Sequence, residues 1–234
     1  MPTTYLALHY WAGSGREFEP LVPLLPPGSQ LLAPNLPGFG SQAAPVGFDY
    51  SVASYADWVV QYMEDKRLTD YQIIGHSMSG KIALALAARR PAGLRGLVLL
   101  SPSPPTPEPI SDADRAASLA AYGQRAEAER TFAKITSIPL SEAWRAQVIA
   151  DNLCTTQSAW DAWLLRGSRE DISALMPRIE VPCRLLVGEN DRAIPLAAQR
   201  QQTLPLLPAG SILVPVPGAG HLLPLEAPEV IFSM

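Results

Sequence analysis

Short apolar runs and longer stretches of helical period take turns along this chain. Residues 3–9 read as a buried strand, and residues 29–33 as a second one. Between them, residues 17–25 read as a short amphipathic helix stopped by Pro26-Pro27-Gly28. Residues 51–66 carry Val52, Tyr55, Val59 and Tyr62/Met63 on one side, which predicts a helix. A β-branched run at 71–74 predicts a third strand, and the Ala/Leu-rich stretch after it a helix ending near Arg89-Arg90-Pro91. Residues 94–100 predict a fourth strand. This alternation points to a mostly parallel sheet with helices on both faces, an α/β fold.

The rhythm breaks at residues 101–109, where five prolines exclude a helix or a central strand. From 111 to about 176 the pattern is helical throughout, with Ser111 and Ser141 as expected N-caps and Trp144, Trp160 and Trp163 on apolar faces. Some 65 strandless residues are too many for one crossover helix. The expectation is a helical cap at 108–176 inserted into a core made of 1–107 and 177–234; helices extending the main layer are the alternative. Alternation then resumes with a strand at 183–187, a helix at 196–207 and a sixth strand at 211–216. The segment 227–234 is short for a closing helix.

Chemistry concentrates between the third strand and its helix, in Gly75-His76-Ser77-Met78-Ser79-Gly80. A strand that becomes a helix within a few residues needs a sharp turn, and small neighbours of Ser77 permit it. Such a turn lifts the Ser77 hydroxyl clear of the backbone. It also leaves the Met78 amide at a helix N-terminus, where donors are unpaired and negative charge is favoured. The position two after Ser77 is Ser79 rather than glycine; the glycine follows at Gly80.

Composition narrows the function classes. The 234 residues are 47% apolar and carry a net charge of −4 without a basic run. Nucleic acid and anionic membrane surfaces are therefore not expected partners. No apolar stretch approaches membrane-spanning length, no charged leader precedes the first strand, and Cys154 and Cys183 lack metal-ligand spacing. A cytoplasmic protein with reduced thiols is expected. Nothing in the composition specifies an oligomeric state.

A serine nucleophile needs a base and, usually, an acid to orient it. There are three histidines. His76 should point away from Ser77, as neighbours on an extended backbone do. His9 and His221 both follow strands whose carboxyl ends share one sheet edge, where ligands bind; His9 is read as a structural residue. Asp191 follows the fifth strand, with Glu189 as its competitor. An N-cap role for Asp191 is the plainer alternative, set against the chain order Ser77, Asp191, His221.

These pieces resemble the α/β-hydrolase fold superfamily: the elbow, the acid loop Gly188-Glu189-Asn190-Asp191-Arg192-Ala193-Ile194-Pro195, and the loop Gly218-Ala219-Gly220-His221 backed by Glu226-Ala227-Pro228. Asn35-Leu36-Pro37-Gly38-Phe39-Gly40-Ser41 resembles a further family loop, with Asn35 in place of the usual Asp. His9-Tyr10-Trp11 stands where the family has His-Gly-x. The resemblance implies Ser77 as nucleophile, His221 as base, Asp191 as orienting acid, and an oxyanion hole from the Met78 and Trp11 amides. It implies a small-molecule substrate, with no metal or organic cofactor. Three departures stand out: Tyr10 replaces a glycine, the first two strands are missing, and the closing helix is clipped.

The leading expectation is hydrolysis of a small carboxylic ester through an acyl-enzyme. A carbon–carbon lyase or hydrolase, or a lactonase, is the alternative on the same triad. Arg16 and Lys81 resemble cations of the menaquinone-pathway lyase, though both read more simply as solvated surface charge. A slow-turnover ligand sensor is the rival from another class.

Overall fold

The computed structural model describes residues 3–233. Met1 and Pro2, which belong to the leader reading, and Met234, at the end of the closing segment, lie outside the described residues. Among the described residues six strands form one sheet: β1 (Thr4–Leu8), β2 (Gln30–Leu32), β3 (Tyr71–His76), β4 (Leu94–Leu100), β5 (Cys183–Gly188) and β6 (Ile212–Val216). Their order is β2-β1-β3-β4-β5-β6, and every neighbouring pair is parallel.

The period-two alternation of the strands divides the core. Leu6, Leu8, Ile73, Leu97 and Leu99 pack to one side, against α1 (Val52–Asp65) and α2 (Met78–Ala87). Tyr5, Ala7, Ile74, Val98 and Leu100 pack to the other, with Phe18, Leu21, Leu223 and Ile231. Covered on both faces, β3 and β4 are almost wholly buried, whereas the edge strands β2 and β6 keep exposed positions. Ser51 caps α1 by accepting from the Ser54 amide.

Between β4 and β5 lie α3 (Asp112–Ala120), α4 (Arg125–Ile135), α5 (Glu142–Cys154) and α6 (Gln157–Leu165). Ser111 and Ser141 cap α3 and α5, accepting from the amides of Asp114 and Trp144. The segment leaves and rejoins the sheet through paired chain: Glu108 N–H donates to the Ser168 carbonyl and Ile172 N–H to the Pro105 carbonyl, each at 2.8 Å.

Two predicted helices differ. Residues 17–24 form part of a 3₁₀ helix, Gly15–Leu24, because Pro20 and Pro23 lie inside it and supply no N–H for an α ladder. The helix at 196–207 is broken into α7 (Leu196–Ala198), a π turn at Gln199–Thr203 and a 3₁₀ turn at Leu204–Leu206. Pro205 disfavours helix at the residue before it. Gln199 is drawn inward, its Nε2 donating to the Pro102 carbonyl at 2.5 Å. Among the described residues the segment after β6 holds only α8 (Leu223–Glu226) and a 3₁₀ turn at Pro228–Val230.

The two thiols are in opposite environments. Cys183 is buried in β5, and burial pushes its thiol up to about 11, while Cys154 is exposed. Titration of the native protein with a thiol reagent at pH 8 should therefore modify Cys154 promptly and Cys183 only after denaturation.

Candidate active site

The strand-to-helix turn after β3 is strained as its sequence requires. Ser77 has φ 52° and ψ −117°, a conformation that costs on the order of 1–3 kcal/mol for a residue with a Cβ. It is fixed from both sides: Ser77 N–H donates to the Leu100 carbonyl at 2.9 Å, and Ser77 C=O accepts from the amides of Gly80 and Ser103, each at 2.8 Å. The glycine requirement falls at Gly80, where a Cβ would come within 2.4 Å of Pro102. Ser79 is tolerated because its buried hydroxyl has a use, donating to the His9 carbonyl.

The three histidines have separate fates. His9 is fully buried; its Nδ1–H donates to the Tyr10 carbonyl at 2.8 Å and its Nε2 accepts the Leu36 amide at 3.0 Å. Burial holds it neutral, lowered to about 4. It is structural, as the sequence suggested. His76 turns from the cavity: its Nε2–H donates to the His221 carbonyl at 2.8 Å, and its Nδ1 shares a hydrogen with Glu17 at 3.0 Å. His221 lies on the loop after β6, with Nδ1 2.7 Å from Asp191 Oδ2.

The N-cap of α7 is Pro195, so Asp191 caps no helix and instead uses both carboxylate oxygens in the loop. Its Oδ2 faces His221 while its Oδ1 accepts the amides of Ala193 and Ile194 at 2.8 and 2.9 Å. Burial works to raise the carboxyl, but the His221 charge, the hydrogen bond to it, Ser101 and the Ile194 amide outweigh burial, leaving Asp191 below the usual range. For His221 burial works downward and is outweighed by Asp191, Glu17 and Glu108, so it is raised above 6.5. Glu189 is exposed and makes no such contact. Gly188 lets the two loops meet, since a Cβ there would lie 2.0 Å from the Gly220 carbonyl oxygen.

Ser77 and His221 line one cavity of about 450 Å³ between the sheet edge and the helical segment. Trp11 is in its wall, its ring 4.2 Å from that of Trp160. Among the described residues the Trp11 backbone N–H has no acceptor, and Met78, first residue of α2, has none within its helix. Tyr10, in place of the family glycine, packs its ring 5.3 Å from His76, and the positive φ moves on to Ala12 at 63°. Asn35 accepts the Gly15 amide at 2.9 Å and so ties the second loop to the first. Among the described residues no three His, Cys, Asp or Glu side chains gather as a metal site.

The two cations singled out in the sequence do not face this cavity. Arg16 is exposed and paired with Glu19 at 3.4 Å. Lys81 corrects the surface-charge reading: it is fully buried, and its Nζ donates to the carbonyls of Thr106 and Glu170 at 3.1 and 2.9 Å. Burial lowers it to about 8. α2 is covered on all sides, so a lysine one turn after the elbow has no route to solvent.

The sequence also left Glu226 without a role. Buried behind His221, its Oε2 accepts the amides of Ser137, Ile138 and Gly220 at 2.8–2.9 Å, and its Oε1 accepts that of Leu222 at 3.0 Å. The Glu17–His76 pair was likewise unassigned; nothing local in sequence joins positions 59 apart.

A model of the Alpha/beta hydrolase family matches residues 6–233. The chain belongs to the alpha/beta hydrolase family. It is similar to a pimeloyl-[acyl-carrier protein] methyl ester esterase from Neisseria meningitidis, 30% identical over 201 residues; the match covers 80% of this chain and 62% of that relative, less than two thirds of its length. It is also similar to a 2-succinyl-6-hydroxy-2,4-cyclohexadiene-1-carboxylate synthase from Enterobacter, 28% identical over 96% of this chain and 86% of the relative. An esterase structure from Exiguobacterium antarcticum superposes with a TM-score of 0.86, at 18% identity, over 97% of this chain and 88% of its own; at that identity the likeness is one of fold. No helix among the described residues of this alpha/beta hydrolase is long and apolar enough to cross a membrane.

Proposed function

We propose that this alpha/beta hydrolase is a serine esterase acting on a small carboxylic ester or related acyl compound. The observation that carries the reading is the 2.7 Å bond from Asp191 to His221, which lines the same cavity as a Ser77 held at φ 52°. Ser77 attacks the carbonyl carbon and His221 accepts its proton through Nε2. Asp191 holds the ring and stabilises the imidazolium. The Met78 and Trp11 amides receive the developing oxyanion. His221 returns the proton to the leaving alcohol, then takes one from a water whose oxygen attacks the acyl carbon, and gives it to Ser77 Oγ as the acid departs. Residues 108–176 act in this reading as a cap over a core of 1–107 and 177–234. The substrate is a small molecule, and the setting is cytoplasmic.

The similarity to the 1-carboxylate synthase keeps elimination on the same residues as a second reading. Arg16 lies outside the cavity wall and Lys81 is spent on two carbonyls, so neither supports it. p-Nitrophenyl esters of increasing acyl length test the reading, with intact mass measured during turnover. A rate maximum at short to medium chains and an acyl adduct on Ser77 are expected. No turnover with any ester, and no adduct, would remove the esterase reading.

The pH profile gives a second check. Neutral His221 is the working base, so kcat/KM should rise with pH through a midpoint above 6.5. Asp191→Asn removes the charge that raises His221. It should move that midpoint downward and cost on the order of 10⁴-fold in kcat. A midpoint unmoved by Asp191→Asn would separate the limb from His221.

A further inference from the structure

The cavity wall is largely aromatic and aliphatic, with Tyr10, Trp11, Phe132, Trp160, Trp163 and Leu164 in it. Glu108 is set half-buried into that wall, at the start of the helical segment. Asp114, Lys134 and Arg192 also reach the cavity, but from exposed positions. Three cations act on Glu108 through space: Lys81, His221 and Arg115. Each is bonded elsewhere. Lys81 holds the Thr106 and Glu170 carbonyls, His221 holds Asp191, and Arg115 holds the Leu164 carbonyl and the Ser168 hydroxyl. Among the described residues Glu108 has no ion pair. Burial raises its carboxyl, and the nearby Ser103 hydroxyl relieves this in part.

A carboxylate in an apolar wall without a counter-ion is costly unless something donates to it. Its position is fixed by its own N–H, bonded to Ser168 where the chain crosses into the helical segment. It lies near enough to His221 for each to shift the other's protonation. A group bound at Glu108 therefore belongs to the same small molecule that presents its acyl carbon to Ser77.

We propose that Glu108 is the specificity-determining residue of this site, receiving an ammonium or hydroxyl group on the substrate and turning away substrates that carry a carboxylate. The inference rests on the ester-hydrolase reading of the same cavity. Charge-assisted hydrogen bonds favour the first class; like charge in a confined, poorly solvated wall disfavours the second.

The test compares ethyl esters of three acids of similar length, ending in dimethylammonium, isopropyl and carboxylate groups, followed by pH-stat titration. The wild type should favour the cationic over the carboxylated ester by on the order of 100-fold in kcat/KM. Glu108→Gln should cut that ratio at least tenfold, and Glu108→Lys should invert the order. Because Ser77 and His221 serve both esters, any general loss of rate cancels in the ratio. Titration calorimetry of the wild type with the matching N-methyl amides reads the same preference without turnover or a variant. If no ester is cleaved but the cationic amide binds preferentially, the ester reading fails and the Glu108 site stands. Equal binding of the three amides, or an unchanged ratio in Glu108→Gln, overturns the proposal.

Discussion

Ser77→Ala should abolish ester turnover to within about 10⁻⁴ or less of the wild-type rate while leaving the melting temperature where it was. The two halves of that expectation have different physical grounds. Rate is lost because the hydroxyl forms the covalent bond; the oxyanion donors and the cavity remain and account for what activity is left. Stability is kept because the fold uses Ser77 through its backbone. Its N–H is bonded to Leu100, its carbonyl to Gly80 and Ser103, and alanine carries the same Cβ through the same φ of 52°. The change should stay within about 0.5 kcal/mol. Parallel measurement of kcat and thermal unfolding decides it. Retained turnover removes Ser77 as nucleophile, and a fallen melting temperature would assign the loss to folding instead.

Glu226→Gln should do the reverse, costing stability first and activity through it. The carboxylate accepts four backbone N–H groups, three of them at Oε2. A glutamine amide keeps its oxygen where three amides converge and turns its NH₂ toward the Leu222 amide, so one buried amide loses its acceptor and meets a donor instead. At about 1–3 kcal/mol for an unsatisfied group, a loss of about 1–3 kcal/mol is expected. For a chain this long that is a fall of roughly 2–12 °C in melting temperature. Gly220 and Leu222 flank His221, and Ser137 and Ile138 follow α4. The His221 amide also donates to the Ile135 carbonyl at 2.8 Å. Released from Glu226, the ring should no longer sit in register with Asp191, and kcat should fall by more than KM rises. A variant with wild-type stability would mean that water takes the carboxylate's place.

What the sequence made legible was whatever is local. Each strand run shows its own periodicity, each of Ser51, Ser111 and Ser141 sits beside the helix it caps, and the elbow is one contiguous motif. The placement of the Asp191 and His221 loops was legible because each directly follows a strand of a parallel sheet, which puts both at one edge. The misread elements are those where a local rule was outweighed. Pro20 and Pro23 sit within a stretch of amphipathic spacing that predicts an α-helix, and their missing N–H groups outweigh the spacing. Lys81 was read by its charge, whereas its location was fixed by neighbours on a helix covered all round. Glu17 with His76, Glu108 with His221, and Glu226 with residues 137–138 are partnerships between distant positions, and one chain carries no mark of them.

The crossing into and out of the helical segment has a practical consequence. Its two strands run side by side, bonded Glu108 to Ser168 and Ile172 to Pro105, and the Lys81 ammonium holds a carbonyl from each. An excursion whose ends are already neighbours closes no long loop, so its removal or exchange leaves little chain entropy to offset. The segment is therefore a unit that protein engineers could swap for another of different length, with Lys81 as the fixed socket. Catalytic chemistry would stay with the sheet, and the choice of substrate would travel with the insert.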